Sequence, residues 1–477
     1  MNAGSLALRA VLNDELQLAI DFVHQQTAIY TAEPIVDRLL DMLDWGEHQR
    51  LIDPSAGDGA FLTRALQRLI DAGFERFNDL PDLIQGWEIH DGAVEQARNR
   101  ISSMLQAARC SAADSVHIAA MIVQHGDFLK DAPDVPAWNS VGSNPPYLKY
   151  AKLPEVLRKR YESLVPRYAS HDLMYSFMDK SVKCLLPGGK IGIVVADRVL
   201  TNANAGVLRE EMGKRVGITH LQRLDVASSF YRAKTRRAGT LPRCHPVALV
   251  LADRRSGLTQ IPLGSAPIYP GSDGPETTRT PMQKLSDIAE VRMAPWLGAK
   301  GSFQVNADVA ATLPADSIIP AIETSEVADG TFRPGKWYAI KTDPALVPPA
   351  AVREHLDRER HRMPRRGLRP NPWMPPESFH NWDLSKPSLL IPRVARTLKP
   401  IRVPAGILPL GHSISIPYSS QGELERLEAL LNSPESQKWF ESRAARLENG
   451  YYAIGAKLLR QLPVLSESKD GQCRNVK

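Results

Sequence analysis

Apolar and polar positions in the first half of the chain alternate between two periods. RLIDPS (50–55), LIQGWE (83–88), MIVQHGD (121–127), WNSVGSNPP (138–146) and GGKIGIVVAD (188–197) are short apolar runs that stop at Gly, Pro or acidic punctuation, as buried strands do. Between them, AFLTRALQRLIDAG and DGAVEQARNRISSMLQAA place apolar residues at i, i+3 and i+4, which predicts amphipathic helices. Strand–helix alternation of this kind predicts an α/β fold, a Rossmann-like, mostly parallel sheet covered by helices on both faces. Ligands of such sheets bind beyond the carboxyl ends of the strands.

The texture changes near residue 260. LTQIPLGSAPIYPGSDGPETTRTP has no helical period and reads as a linker or long loop. Beyond it the strand-like segments shorten, and 422–447 is the one strongly helical pattern. The expected organisation is a catalytic domain over 1–260, an irregular α+β domain over 265–465, and a polar tail over 466–477 expected to be disordered.

With 477 residues, 43% hydrophobic and 23% charged, the composition is that of a soluble globular protein of two to three domains. No stretch approaches the roughly 18 uncharged apolar residues a membrane span needs, and acids interrupt the N-terminus where a signal peptide is apolar. The expected compartment is the cytoplasm. Four scattered cysteines without a CxxC pair predict reduced thiols, no disulfide framework and no metal site. The net charge of +6 is unevenly placed: 232–243 holds five basic residues and no acid, 353–370 holds seven arginines against three acids, and the remainder is slightly acidic. Concentrated arginine fits a footprint for a polyanion, although a solvated basic surface has the same composition.

Three successive strand ends carry candidate ligand chemistry. After RLI comes Asp53-Pro54-Ser55-Ala56-Gly57-Asp58-Gly59 and then a helix; Gly57 and Gly59 permit a sharp turn and a close ligand approach, though a tight strand–helix turn uses the same residues. LIQGWE ends in Glu88, suited to accept both hydroxyl hydrogens of a ribose. MIVQHGD ends in Asp127-Phe128, an acceptor for an exocyclic amine beside an aromatic face for a purine. Each acid could also be a helix N-cap. The loop lacks the lysine and hydroxyl of a triphosphate site, and the acids suit a cofactor with a cationic reactive end, favouring S-adenosylmethionine over ATP or NAD.

The fourth strand runs into Asn144-Pro145-Pro146-Tyr147. Consecutive prolines stiffen the loop and remove donors, so the Asn144 amide oxygen and the Pro145 carbonyl can each accept one hydrogen of a planar NH2 group. Two such bonds bias the nitrogen toward tetrahedral geometry and free its lone pair for in-line methyl transfer, helped by proximity and preorganised dipoles. Tyr147 offers a stacking face. A Pro-rich surface turn is the bland alternative.

DPSAGDGAFL, Glu88, Asp127-Phe128 and NPPY, in that order, resemble the motifs of class I S-adenosylmethionine-dependent amino-methyltransferases. The upstream QTAIYTAEPIV (26–36) is similar to the cofactor-binding N-terminal motif of gamma-class N6-adenine DNA methyltransferases, and LLPGGKIGIVVADRVL with a later LRE (208–210) fits that family's late strands. KPSLLIPRVARTLKPI and the segment 427–464 are similar to its C-terminal target recognition domain. The resemblance implies cofactor contacts from Tyr30, Thr31, Asp53, Pro54, Ala56, Gly57, Gly59, Glu88, Asp127, Phe128 and Asn144. It implies catalysis by Asn144, Pro145, Pro146 and Tyr147, with an aromatic at Phe230 on the far side of the target base. Two departures stand out: Tyr-Thr-Pro is Tyr-Thr-Ala here, and the longer basic segment 231–245 leaves Phe230 or Tyr231 as the stacking residue.

On this reading a monomer acts on double-stranded DNA, flipping an adenine between Tyr147 and Phe230. Arg232, Lys234, Arg236 and Arg237 would clasp phosphates near the pocket, and Arg353, Arg358, Arg362, Arg365 and Arg366 would contact DNA from the second domain. A restriction-modification role leaves room for a separate restriction endonuclease. Pro81-Asp82 with Glu88-Ile89-His90 mimics part of a nuclease signature but lacks its lysine. The alternatives are N4-cytosine as target, methylation of RNA or of a protein glutamine, and a catalytically silent DNA-binding subunit.

Overall fold

In a computed structural model, the structure describes residues 3–231, 245–270, 275–276, 283–324, 335–447 and 450–464. The chain divides into two units, Met1–Thr277 and Thr278–Lys477. The first is built on an eight-stranded sheet. Its elements are α1 (Ala3–Thr27), β1 (Tyr30–Thr31), α2 (Glu33–Met42), β2 (Leu51–Asp53), α3 (Ala60–Asp71), β3 (Ile84–Glu88), α4 (Asp91–Ala107), α5 (Ala112–Ile122), β4 (Val123–His125), β5 (Trp138–Ser143), α6 (Leu173–Cys184), β6 (Leu185–Ala196), α7 (Gly206–Gly213), β7 (Val216–Arg223), β8 (Phe230–Tyr231), β9 (Pro246–Asp253) and β10 (Ile261–Pro262), with short helices between.

The sheet order is β10-β7-β9-β6-β5-β2-β3-β4. Pairings from β4 through β6 are all parallel, and β9 and β10 run against the others. Consecutive strand residues face opposite sides of the sheet, so Leu51 joins the core under α2 and α3 while Ile52 joins the core under α6. Both are buried, which is why β2 has no polar face. The order reverses between β3-β2 and β5, and the carboxyl ends of β2, β3, β4 and β5 open at that switch point.

The Gly/Pro-rich stretch after residue 257 is not a free linker along its described length. β10 pairs with β7, and Ile268 N–H donates to the Leu200 carbonyl at 3.0 Å. Arg209, buried in α7, donates to the carbonyls of Val199 (2.9 Å), Asn202 (3.0 Å), Gly264 (3.2 Å) and Ser265 (2.6 Å). These bonds keep the segment on the first unit, so the division falls at 277/278, beyond the change in texture at 260.

The second unit holds two four-stranded sheets, one from Arg292–Met293, Ser413–Pro417, Ser388–Pro392 and Ile401–Val403, the other from Gln304–Asn306, Trp337–Ile340, Ile318–Ile322 and Leu408–Pro409. The helical stretch expected over 422–447 is two helices, Gln421–Asn432 and Pro434–Arg443. Pro434 has no N–H to continue the first helix, and Ser433 Oγ accepts the Ser436 N–H at 3.1 Å to start the second. A helix over Ala350–Glu359 escaped the sequence reading, because its apolar stripe is only Val352 and Leu356 beside the buried His355. The tail over 466–477 lies outside the described residues. No described helix is long and apolar enough to cross a membrane.

Candidate active site

The loops at the ends of β2, β3, β4 and β5 meet in one cavity of about 950 Å3, including the part open to solvent. Tyr30, Thr31, Asp53, Pro54, Ala56, Gly57, Glu88, Asp127, Phe128, Asn144 and Pro146 all line it. The sequence places these residues more than a hundred positions apart; the parallel sheet brings them together.

The β2 loop makes the floor. Gly57 has φ +56°, and a Cβ there would lie 2.9 Å from the Tyr30 ring. Gly59 is not part of the wall: with φ +87° it caps α3, and a Cβ would lie 3.1 Å from that of Ala97 in α4. The second glycine therefore serves helix packing rather than ligand approach. Asp53 is 1% exposed, and its Oδ1 accepts from Ser55 N–H (3.0 Å) and Ser143 Oγ (2.8 Å). Burial, reinforced by the nearby Glu88 and Asp58 carboxylates and opposed by the two serine bonds, pushes its pKa up to about 7.

Glu88 is tied into the backbone. Its Oε2 accepts from Gly57 N–H at 2.8 Å, and its Oε1 from Ile89 N–H (3.0 Å) and His90 N–H (2.9 Å). Burial raises its pKa against those bonds. Oε2 keeps a lone pair beyond its one bond while both lone pairs of Oε1 are engaged, so the carboxylate can still accept one further hydrogen. Asp127 caps the following short helix through Leu129 N–H (3.1 Å), as any of these acids could, and it also lines the cavity. Its charge is met by Arg160 Nε at 3.0 Å, an ion pair no local pattern announced. Burial raises its pKa, with Arg160 opposing. The Phe128 ring is buried and stacks on Phe177, centroids 5.8 Å apart.

The NPPY loop is anchored at both ends. Asn144 Nδ2 donates to the Ile29 carbonyl at 2.8 Å, which fixes the amide plane and leaves Oδ1 as its acceptor end. Ser55 Oγ bridges Ser143 Oγ (2.9 Å) and the Asn144 carbonyl (3.3 Å), so a chain of hydroxyls links Asp53 to Asn144. Tyr147 donates through its hydroxyl to the Val194 carbonyl at 2.9 Å. Pro145, Tyr147 and Phe230 are not among the cavity-lining residues. Phe230 is half-buried and pairs with Thr31, while Tyr231 pairs with Tyr30 and gives its hydroxyl to Asp58. The Phe230 ring packs on the core under α2 and α3.

Sequence reasoning missed one wall. Ile20, Val23, His24 and Thr27 of α1 line the cavity at helical spacing, a signal that was present but not read as part of a site. His24 stacks on His90, centroids 3.7 Å apart and 8° from parallel. His90 Nδ1 accepts the Ala93 N–H at 3.2 Å, which caps α4.

Of the basic residues, Arg232, Lys234, Arg236 and Arg237 lie outside the described residues, as does the Arg366 side chain. Arg353 stands over the Trp373 ring at 5.8 Å, Arg358 reaches His355 Nδ1 at 3.1 Å, Arg362 pairs with Glu359 at 3.0 Å, and Arg365 is exposed. Among the described residues no His/Cys/Asp/Glu group is arranged to hold a metal ion.

Residues 19–215 match the family model described as N-6 DNA Methylase. The match spans well under half of the chain. Over 204 residues the chain is 32% identical to the type II methyltransferase M.PaeR7I of Pseudomonas aeruginosa, covering 39% of this chain and 35% of that one. Over 219 residues it is 27% identical to the type II methyltransferase M.XhoI of Xanthomonas vasicola, covering 43% and 40%. The chain thus spans well under half the length of these relatives. A solved structure, the type IIL restriction-modification enzyme MmeI in complex with DNA, shares the fold at TM-score 0.57 and 14% identity, over 96% of this chain and 67% of that one. An α/β unit with a second unit after it accords with that likeness.

Proposed function

We propose that this protein is a site-specific DNA methyltransferase of a modification system, transferring a methyl group from S-adenosylmethionine to the exocyclic N6 of an adenine flipped out of duplex DNA. The observation that carries the reading is the pinned Asn144 amide. Its nitrogen is held by the Ile29 carbonyl and its oxygen is left to accept, in a loop that shares a cavity with Asp53, Glu88 and Asp127.

The cavity fits the cofactor on its own chemistry. Thr31 Oγ1 is buried without a hydrogen-bond partner on its wall, the carboxylates of Asp53, Asp58, Glu88 and Asp127 line it, and Gly57 leaves a cradle beside the Tyr30 ring. When bound, S-adenosylmethionine supplies an electrophilic methyl carbon on a cationic sulfur. Glu88 would take a ribose hydroxyl through Oε2, Phe128 the adenine face, and Asp53 would set negative charge near the cationic end. Asn144 Oδ1 and the Pro145 carbonyl would accept the two hydrogens of the target NH2 group, freeing its lone pair to form the new N–C bond as the methyl's S–C bond breaks and leaves its electron pair on sulfur. Tyr147, steadied by Val194, and Phe230, steadied by β1, flank the ring, and stacking returns roughly 1–3 kcal/mol of the unstacking cost. The methylated nitrogen then gives its extra proton to water.

Residues beyond 277 would read the DNA sequence, with Arg353, Arg358, Arg362, Arg365 and Arg366 on the duplex and the segment 232–243 on phosphates near the target. A separate restriction endonuclease would act at the same sites. Mass spectrometry of nucleosides from duplex DNA incubated with the protein and S-adenosylmethionine tests the reading. N6-methyladenine is expected. N4-methylcytosine would shift the target base, and methylation confined to RNA or protein would overturn the proposal.

A further inference from the structure

Behind the cavity, side chains from two elements converge on one carboxylate oxygen, Asp58 Oδ2. Tyr231 of β8 donates its hydroxyl to Asp58 Oδ2 at 2.5 Å. Arg100 of α4 donates through Nη1 to the same Oδ2 at 2.6 Å, to the Asp58 carbonyl at 3.1 Å and to the Tyr231 hydroxyl at 3.3 Å. Asp58 is 7% exposed and belongs to the cavity-lining loop between Gly57 and Gly59. Burial and the Asp58 charge push the Tyr231 pKa upward, so its hydroxyl stays a donor.

This cluster reaches both halves of the proposed site. Among the described residues β8 pairs with β1 through Thr31 with Phe230 and Tyr30 with Tyr231, and Ala32 N–H donates to the Ser229 carbonyl at 2.9 Å. The Tyr231 hydroxyl adds a side-chain tie from β8 to the 57–59 loop. The Tyr30 and Tyr231 rings lie 5.8 Å apart, and Tyr30 fills the space that a side chain at Gly57 would need. Gly57, Tyr30, Tyr231 and Asp58 therefore form a continuous packed path from the cavity floor to the residue next to Phe230. This path gives a movement of the 57–59 loop a route to the strand that carries Phe230.

Resting on the function proposed above, we infer that Arg100, Asp58 and Tyr231 are positioning residues that couple the two substrates: cofactor binding sets the strand carrying Phe230, and DNA binding in turn tightens the cofactor site. Coupling of binding free energies is reciprocal, so either ligand can report it. The ionised bonds on Asp58 Oδ2 are the strong kind, and the Tyr231 hydroxyl is the one that crosses to β8.

The test is calorimetry of S-adenosylmethionine binding to the full chain, with and without a duplex containing the modified sequence, for wild type, Tyr231→Phe and Asp58→Asn. Wild type is expected to bind the cofactor at least fivefold tighter when DNA is present. Tyr231→Phe keeps the ring and loses the crossing bond, so that enhancement should fall below twofold; Asp58→Asn should reduce it as well. Cofactor affinity without DNA, together with the melting temperature, reports whether each variant folds. An enhancement unchanged in Tyr231→Phe overturns the inference, as does a loss of affinity that is equal with and without DNA. Wild type that binds the cofactor and methylates DNA but shows no enhancement also overturns it, leaving the proposed function standing. Wild type that binds no cofactor removes the proposed function itself.

Discussion

Asp53 gives a prediction whose size follows from its surroundings. Its carboxyl sits 1% exposed with a pKa pushed up to about 7, chiefly by burial and further by Glu88 and Asp58. A cationic cofactor end favours the ionised form, so binding below pH 7 must first remove a proton. With that midpoint, roughly a tenth of Asp53 is ionised at about pH 6 and roughly nine-tenths at about pH 8. Affinity for S-adenosylmethionine should therefore fall about tenfold from pH 8 to pH 6, with uptake by buffer of close to one proton at the acid end. The stability sign is opposite. A carboxyl whose folded pKa exceeds its unfolded value contributes stability that is full below about pH 4 and is lost as pH rises through about 7, with an upper limit of about 4 kcal/mol. Asp53→Asn, which cannot ionise, should melt at a higher temperature than wild type at pH 8 without cofactor, yet bind cofactor more weakly and without the pH-dependent step. Calorimetry in two buffers of different ionisation enthalpy measures both affinity and proton count. An affinity flat from pH 8 to pH 6, or a slope that persists in Asp53→Asn, would refute the reasoning.

Three further outcomes follow from particular contacts. Gly57→Ala adds a Cβ 2.9 Å from the Tyr30 ring at φ +56° and should weaken cofactor binding about tenfold, strain of about 1–2 kcal/mol being enough, whereas Gly46→Ala, with nothing within 4 Å, should bind as wild type in the same titration. Arg209→Ala removes a guanidinium shared by four carbonyls and should cost about 3 kcal/mol, seen as a lowered thermal midpoint; an unchanged midpoint would mean that segment 264–268 is held by other contacts. Arg358→Ala with Arg362→Ala should weaken DNA binding for all sequences alike and lower the salt slope by about 2, as read by fluorescence anisotropy, while a change confined to one sequence would assign them to base readout.

The parts of the site that were legible in the sequence are those where geometry is local. A parallel strand must end in a turn, and Asp53-Pro54, Glu88, Asp127 and Asn144-Pro145 mark those turns in residue types that few other contexts demand. The sheet then does the rest, because β2, β3, β4 and β5 share one carboxyl edge. What escaped depends on long closures. Arg160 reaches Asp127 from 33 positions away, and Tyr231 reaches Asp58 from 173, with nothing local to mark either partner. The α1 wall was hidden differently: Ile20, Val23, His24 and Thr27 have helical spacing, but a mixed stripe of this kind packs equally well on any apolar surface. Gly59 was misassigned because a glycine at a strand–helix turn can serve ligand approach or helix packing, and only Ala97 decides which. The division between units moved from 260 to 277 because Arg209 captures backbone carbonyls, an attachment in which the captured segment's side chains have no part.

The central claim is that the Asn144 amide oxygen grips the target amino group. Long-read sequencing of DNA from cells expressing the wild-type chain or Asn144→Ala tests it most directly. The Ile29 bond lost with the side chain is worth about 1 kcal/mol, too little to unfold a unit of this size. Loss of a preorganised acceptor should lower the rate by about two to three orders of magnitude. Wild type is predicted to leave N6-methyladenine at one sequence motif and the variant to leave that motif unmodified. Methylation of the same motif at the wild-type level by soluble, folded Asn144→Ala protein would contradict the account.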